Sequence, residues 1–193
     1  MGKDIELEGA LALPARAKVA LGLAAAQRVL PRIAPRKLAL VAYQKALADG
    51  WRWVVLERFE PRQVHRHIDG LMQNHFDWCE TAQQSAACQA AIFSLYAATH
   101  AAGLSANDLA QITPRVVIDV LERAAEAAEV PEFERAWQLV RLRELKARGD
   151  EPLAPVDLGV DVPGFDAEAE RRAEVTRLDY LQTAVQKAQP RNI

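Results

Sequence analysis

The chain has 193 residues, only nine glycines and a formal net charge of −2, and half of its residues are hydrophobic. This length and composition suit one globular domain with an apolar core, and the near-neutral charge gives no electrostatic reason to expect direct binding of nucleic acid. Alanine and leucine far outnumber β-branched and aromatic residues, a balance that favours helix over strand.

Apolar spacing in the first half of the chain predicts helices that begin near prolines. Proline fits the first turn of a helix, where its missing N–H has no partner to lose, and glycine is common just after the last turn. We therefore expect helices over Pro14–Leu30 and Pro35–Gly50, a connector or short helix over Trp51–Leu56, and helices over Pro61–Met72 and Phe76–Ala101. The last of these has a small-residue stripe that would let a neighbouring helix approach closely: Ala87, Ala91, Leu95 and Ala98.

In the second half, Ser105 with Asp108 resembles a capping box, and Thr113-Pro114 restarts the helix. The restarted helix continues with an apolar stripe of Val117, Leu121, Ala124, Ala125 and Ala128. A further helix is expected from Pro131 to Gly149, with buried candidates Phe133, Trp137, Val140 and Leu145.

The predicted architecture is all-α, a compact bundle of six to eight helices with proline-marked turns. Residues 1–148 form the bundle, residues 149–165 an acidic loop that contains proline and glycine, and residues 166–193 a C-terminal helix that docks on the bundle. The C-terminal helix begins at the cap Asp166, ends near Ala188 and docks through Ala173, Leu178, Leu181 and Val185. The four tryptophans are expected to be core or half-buried anchors: Trp51, Trp53, Trp78 and Trp137.

The only cysteines are Cys79 and Cys88. Nine residues apart on one predicted helix, they would lie about 13 Å from each other, too far for a disulfide bond. Unpaired thiols fit a reducing compartment. The first eight residues are charged where a signal peptide needs an apolar core, and no apolar run approaches the roughly 18 residues that span a bilayer. We expect a cytoplasmic protein with no membrane partner.

Three of the four histidines and one thiol are close in sequence, at His65, His67, His75 and Cys79. His75 and Cys79 are four residues apart, so on one helix they share a face and could jointly bind zinc. His65 and His67 are two apart and point about 200° away from each other on a helix. The alternative interpretation is ordinary surface or half-buried histidines, with Cys79 as a small core residue. No phosphate-binding loop or nucleophile elbow is present, and we expect no cofactor and no catalytic residue.

Charge is unevenly distributed, with a net of +5 over residues 1–75 and −7 over residues 76–193. This division predicts either two solvated faces of opposite sign or an acidic docking surface for a basic partner. The acidic loop and the start of the last helix contain the candidate partner-binding residues: Asp150, Glu151, Asp157, Asp161, Phe165, Asp166, Glu168 and Glu170. The apolar residues between them would either pack back over the bundle or contribute to docking.

The pattern Leu21-Gly-Leu-Ala-Ala-Ala-Gln-Arg-Val-Leu-Pro31 resembles the first helix of a family of all-α bacterial proteins. Its members include immunity proteins of polymorphic toxin systems, among them contact-dependent and type VI secretion systems, and a related helical domain of unknown function. The resemblance continues through the alanine-rich helix at residues 86–102, the Thr-Pro restart and the Glu-Phe-Glu-Arg-Ala-Trp sequence at residues 132–137. It covers roughly residues 15–148 and implies a cytosolic antidote that binds a toxin, with no shared catalytic residues.

The leading hypothesis is therefore an immunity protein that neutralises a cognate bacterial toxin by stoichiometric binding, without catalysis. Its partner would be a basic enzyme such as a nuclease or a nucleotide-modifying protein. One alternative is a metal-dependent helical enzyme that uses His65, His67, His75 and Cys79. Another is a scaffold or regulatory protein that homodimerises through the alanine-rich helix.

Overall fold

The structure, a computed structural model, describes residue 7 and residues 9–33, 35, 37–56, 61–103, 115–149 and 151–188, without the side chains at 61, 62, 76 and 184–188. This part of the chain forms seven α-helices: α1 Ala15–Val29, α2 Lys37–Leu56, α3 Pro61–Trp78, α4 Ala82–Ala101, α5 Val116–Ala127, α6 Pro131–Arg148 and α7 Ala167–Ala188. Three single-turn 3₁₀ helices accompany them: Gly9–Ala12, Leu30–Ile33 and Pro155–Leu158. The described residues contain no β-strand, and the predicted all-α bundle of six to eight helices is confirmed.

Helix α4 lies at the centre of the bundle and contacts α1, α2, α3 and α5. Its buried alanines have no side chain beyond Cβ, so they let the neighbouring backbones approach closely. They are Ala86, Ala87, Ala90, Ala91, Ala97 and Ala98. Two buried hydroxyl groups of α4 are satisfied by carbonyl groups of the preceding turn: Ser94 Oγ donates to Ala91 O at 2.7 Å, and Thr99 Oγ1 donates to Leu95 O at 2.8 Å.

Helix α2 runs unbroken to Leu56, so the predicted helix end at Gly50 is wrong. Residues 51–56 are helical, but they are the last turns of α2 and neither a connector nor a separate short helix. A Cβ at Gly50 would come within 2.7 Å of Leu23 Cδ2 on α1. Glycine at this buried position therefore allows two helices to approach and does not end the helix. The chain beyond it remains helical and buries Trp51 and Trp53 in the core.

The predicted helix over Phe76–Ala101 is two helices. Helix α3 ends at Trp78, and α4 begins at Ala82 after the N-cap Thr81, whose hydroxyl accepts a hydrogen bond from Gln84 N at 3.1 Å. The Gln84 side chain bonds back to the Thr81 amide and completes a capping box. Because apolar residues recur at helical spacing on both sides of the break, the sequence pattern predicted one continuous helix.

The buried face of α6 also differs from the predicted one. Of the four predicted core residues only Leu145 is fully buried; Trp137 is half-buried, and Phe133 and Val140 are 74% and 47% exposed. The face turned to the bundle consists of Glu134, Gln138, Leu142 and Leu145. The buried stripe thus includes two polar residues that a hydrophobicity pattern assigns to solvent.

Polar contacts explain this face of α6. Arg28 Nε on α1 donates to Glu134 Oε2 at 2.9 Å, and Gln138 Nε2 donates to the Leu121 carbonyl at 3.0 Å. The same arginine lies over the Trp137 ring, 4.4 Å from its centroid. A carboxylate whose charge is paired in this way can be buried, and Phe133 is left outside.

Other predicted elements are placed as follows. The α5 stripe of Val117, Leu121, Ala124 and Ala125 is buried, with Ala128 half-buried, whereas Ser105, Asp108 and Thr113-Pro114 lie outside the described residues.

After α6 the chain folds back and buries several of its apolar side chains: Leu153, Ala154, Pro155, Leu158, Val160 and Val162.

Helix α7 contacts α2, and the predicted docking residues whose side chains the structure describes are exposed. Ala173 is exposed, Leu178 and Leu181 are 45% and 43% exposed, and the side chain of Val185 lies outside the described set. The half-buried side chains of α7 belong to its first half: Ala167, Glu170, Arg171, Glu174 and Arg177. Leu178 and Leu181 continue that stripe one and two turns further, where the described bundle leaves them open to solvent.

We expect Gly50→Ala to lower the free energy of unfolding by about 1–3 kcal/mol, because its methyl group would collide with Leu23, which is itself fully enclosed. The matched control is Gly70→Ala on α3, where a Cβ meets nothing within 4 Å. That change should leave stability unchanged or raise it by up to about 1 kcal/mol through helix propensity. Urea unfolding followed by circular dichroism measures both, and equal effects would contradict the close-approach role of Gly50.

Candidate functional site

The acidic segment, residues 150–170, is partly used to hold the fold together. Asp150 lies outside the described residues. Arg148 Nε donates to Glu151 Oε2 at 3.2 Å, and Arg148 Nη1 lies 3.3 Å from Asp157 Oδ1. Asp157 Oδ2 also accepts a hydrogen bond from Ala154 N at 2.7 Å. These carboxylates close the connection that follows α6.

Asp166 and Glu170 fix the start of α7. Asp166 Oδ1 accepts hydrogen bonds from the amides of Glu168 and Ala169 at 2.9 and 3.0 Å, as an N-cap does, and the bond from Ala169 lowers the pKa of Asp166. Glu170 Oε1 accepts a hydrogen bond from Arg52 Nε on α2 at 2.9 Å. Both predicted partner-binding residues therefore have intramolecular roles.

The remaining predicted residues of the acidic segment differ in exposure. Phe165 is half-buried and packs against the core. The Asp161 and Glu168 side chains are exposed, and the described part of the chain supplies neither carboxylate with an ion pair. These two carboxylates are the members of the segment that remain directed to solvent.

Asp49 is a buried carboxylate that sequence reasoning did not single out. On α2 it is 7% exposed, and Gln63 Nε2 and His67 Nε2 lie 2.9 and 3.0 Å from its Oδ2, while Arg52 pairs with Oδ1. Burial alone would raise the Asp49 pKa, but the hydrogen bond from His67, the charge of Arg52 and the Gln63 amide outweigh it and lower that pKa. Because Arg52 also binds Glu170, this Asp49 cluster joins α2, α3 and α7.

The structure divides the predicted metal set of His65, His67, His75 and Cys79. His67 belongs to the Asp49 cluster, and His65 is half-buried elsewhere on α3. His75 and Cys79 do meet, with 3.8 Å between His75 Nδ1 and Cys79 Sγ. On one helix His67 and His75 are separated by about 12 Å of rise, so a single ion cannot bind all four residues.

The residue that completes the group is Cys88. Its sulfur lies 2.9 Å from that of Cys79, so the predicted separation of about 13 Å is wrong. The chain leaves the helix between Trp78 and Ala82 and turns back, which brings the two thiols together. Ligand atoms of His75, Cys79 and Cys88 all lie within 4.8 Å of one another, and we name these three residues the thiol cluster.

Burial governs the chemistry of the thiol cluster. It raises the pKa of Cys79 and Cys88 and lowers the pKa of His75, so all three favour their neutral forms. Beside them the fully buried Tyr43 packs edge-on against Trp78, with 6.1 Å between ring centroids. Burial, followed by the nearby Cys88, raises the pKa of Tyr43. These groups are chemically able to coordinate a metal or to undergo thiol oxidation.

A cavity of about 400 Å³ opens beside the thiol cluster. Its lining is mainly apolar, with one cation, and includes one member of the cluster: Met72, His75, Gln89, Ile92, Phe93, Tyr96 and Arg123. Solvent or an ion thus has a path to the imidazole side of the cluster.

The second half of α7 presents an apolar surface to solvent. Val175 is 58% exposed and lies three residues before Leu178, on the same side of the helix as Leu178 and Leu181. We name Val175, Leu178 and Leu181 the α7 apolar surface. Exposed apolar groups gathered at one place are typical of binding surfaces, whereas isolated ones are ordinary.

No protein-family model matches this chain, and no curated protein or solved structure matches it significantly. The resemblance to immunity proteins therefore rests on the sequence patterns quoted above. In the described part of the chain no helix is both long and apolar enough to cross a membrane.

We expect Asp49→Asn to lower the free energy of unfolding at pH 7 by about 1–3 kcal/mol, because it removes the buried negative charge and one of the two acceptor oxygens that Arg52 and His67 use. Folding lowers the Asp49 pKa, so its stabilisation is present above the unfolded pKa of about 3.9 and is lost as the pH falls through the folded value. The difference between wild type and variant should shrink below about pH 4. Denaturant unfolding against pH measures it, with the exposed Asp161→Asn as control; a difference independent of pH would contradict the assignment.

Proposed function

We propose that this protein is a non-catalytic, cytoplasmic immunity protein that neutralises a cognate bacterial toxin by stoichiometric binding. The observation that carries the proposal is the α7 apolar surface, which lies on the helix that follows the acidic segment. The partner we infer has a basic binding face, as enzymes that act on nucleic acids or nucleotides do.

The α7 apolar surface supports a protein partner for a specific physical reason. Leu178 and Leu181 lie on the same helix stripe as Glu174, which is half-buried. The stripe therefore changes from polar to apolar where the described bundle no longer covers it. A helix that served only to close the fold would have its apolar side chains in the covered part of the stripe and its polar side chains in the uncovered part.

Charge indicates the sign of the partner. Residues 151–183 contain eight Asp or Glu and three Arg, a net charge of −5. Like-signed charge on a surface attracts a partner of opposite sign and repels others. Asp161 and Glu168 are the members of the predicted docking residues best able to act in this way, since Glu151, Asp157, Asp166 and Glu170 have intramolecular partners.

The geometry gives less support to the two alternatives. The alanines of α4 pack against other helices of the same chain, so a homodimer through that stripe would have to open the core. Of the four residues of the predicted metal enzyme, only His75 and Cys79 meet. A second copy of the chain could still cover the α7 apolar surface, and the experiment below includes that outcome.

The test begins with affinity capture of the full chain from its native bacterium. We expect one basic protein that stops growth when expressed alone in a test strain and is neutralised when this chain is co-expressed. Light scattering of the purified pair should give a single stoichiometric complex. A captured protein without toxicity, or one whose toxicity this chain does not relieve, would contradict the proposal.

The surface is tested with Leu178→Glu and Leu181→Glu, whose side chains are exposed enough for the fold to tolerate the change. Each should weaken the complex by roughly 30-fold, as loss of a hot-spot residue costs about 2 kcal/mol. The matched control is Val140→Glu on α6, which is 47% exposed and lies on a different helix. If both leucine variants still neutralise the toxin, the immunity function stands, but the α7 apolar surface is not the toxin-binding site. A wild-type dimer that dissociates in the leucine variants would favour the scaffold alternative.

A further inference from the structure

Three side chains of metal-ligand type meet where α3 passes into α4. His75 lies near the end of α3, Cys79 in the connection and Cys88 on α4. Their ligand atoms lie within 4.8 Å of one another, with 2.9 Å between the sulfurs and 3.8 Å between His75 Nδ1 and Cys79 Sγ. Thiolate sulfur and imidazole nitrogen are the donors that zinc prefers in proteins.

The His75 ring is held in an orientation suited to a ligand. Its Nε2 lies 3.1 Å from Ser85 Oγ, and Gln89 Nε2 donates to the same hydroxyl at 3.4 Å. This contact directs Nδ1 towards the two sulfurs. Histidines that bind metals are commonly held by a hydrogen bond at the other ring nitrogen, which fixes the tautomer and the ring plane.

Tyr43 gives an independent indication. Its hydroxyl is buried and makes no hydrogen bond of ordinary geometry to any described residue. The hydroxyl lies beside the Cys88 side chain. A neutral thiol is a weak hydrogen-bond acceptor, whereas a metal-bound thiolate is a strong one. A thiolate at Cys88 would give this buried donor a stronger acceptor than the neutral thiol does.

We propose that His75, Cys79 and Cys88 bind one divalent transition-metal ion, for which Zn²⁺ is the best match to two sulfurs and one nitrogen. A water molecule completes the tetrahedron, as in zinc sites with three protein ligands. The ion displaces one proton from each thiol, and both protons pass to solvent, while His75 binds through neutral Nδ1. No electron is transferred.

Small movements suffice to form this site. A Zn–S bond of about 2.3 Å sets the distance between two sulfurs of a tetrahedron at about 3.7 Å, so the thiols must separate by less than about 1 Å. Cys79 lies in the connection between two helices and is half-buried, so rotation of its side chain can supply that movement. The adjoining cavity of about 400 Å³, which His75 lines, provides the entry path.

A disulfide bond between Cys79 and Cys88 is the rival chemistry for these sulfurs. It needs an external oxidant such as a small-molecule disulfide, and the sulfurs would have to close to about 2.05 Å. A disulfide has no requirement for the imidazole, whereas the metal site does. His75 is therefore the residue that distinguishes the two.

The experiment titrates the full, reduced chain separately with Zn²⁺ and Co²⁺, and it requires no toxin, so its outcome is independent of the proposed function. We expect one ion per chain, release of two protons, and in the Co²⁺ form a sulfur-to-metal charge-transfer band with tetrahedral visible absorption. Cys79→Ser and His75→Asn should each weaken binding by at least about 100-fold, and Ser85→Ala or Tyr43→Phe by about 10- to 100-fold. His100→Asn, an exposed histidine at the far end of α4, is the matched control and should bind like wild type.

Circular dichroism checks that each variant is folded. Of the two cysteines we substitute Cys79, because Cys88 is fully buried and its replacement would destabilise the core more. A reduced chain that takes up no metal would overturn the proposal. So would metal binding that His75→Asn leaves unchanged. Ready formation of a Cys79–Cys88 disulfide in a chain that binds no metal when reduced would assign the pair to redox chemistry instead.

Discussion

The rest of the fold depends on how closely α1, α2 and α4 approach one another. Gly50 lets α2 lie against Leu23 of α1, and the alanines of α4 let its four neighbours α1, α2, α3 and α5 surround it. A core of small side chains draws its stability from many close contacts, each of them weak, so it tolerates added atoms poorly. Trp51 and Tyr43, both fully buried, fill the space that the small residues leave. Only with α2 and α4 at this distance can Tyr43 reach the thiols.

The peripheral helices are attached to this core by paired carboxylates. Glu134 holds α6 through Arg28, and Asp49 with Arg52 holds the start of α7. Such pairs add little net stability when made but cost several kcal/mol when broken, because one charge is then buried alone. They therefore fix where a helix docks more than how strongly. This explains why much of the negative charge in the acidic segment is engaged within the chain.

Local signals made the all-α class and most helix starts predictable. Pro131, for example, opens α6 as its missing N–H requires. The predictions that were wrong concern residues whose role is set by neighbours distant in sequence. A glycine such as Gly50 can either end a helix or allow a second helix to approach closely. Only the position of Leu23 in the folded chain shows that Gly50 does the second. Likewise His67 is near His75 in sequence but Cys88 is near it in space, because a three-residue break reverses the chain. The capping box at Thr81 was the one available signal for that break.

Helix α3 connects the two regions to which we assign functions. Two turns before it delivers His75 to the thiol cluster, it contributes His67 to the Asp49 cluster, through which Arg52 holds Glu170 at the start of α7. Helix α3 is continuous between these two residues, so one rigid element contributes to both clusters. The Asp49 cluster, through Arg52 and Glu170, in turn fixes the start of the helix from which the α7 apolar surface projects. The two regions are physically linked even though they share no residue.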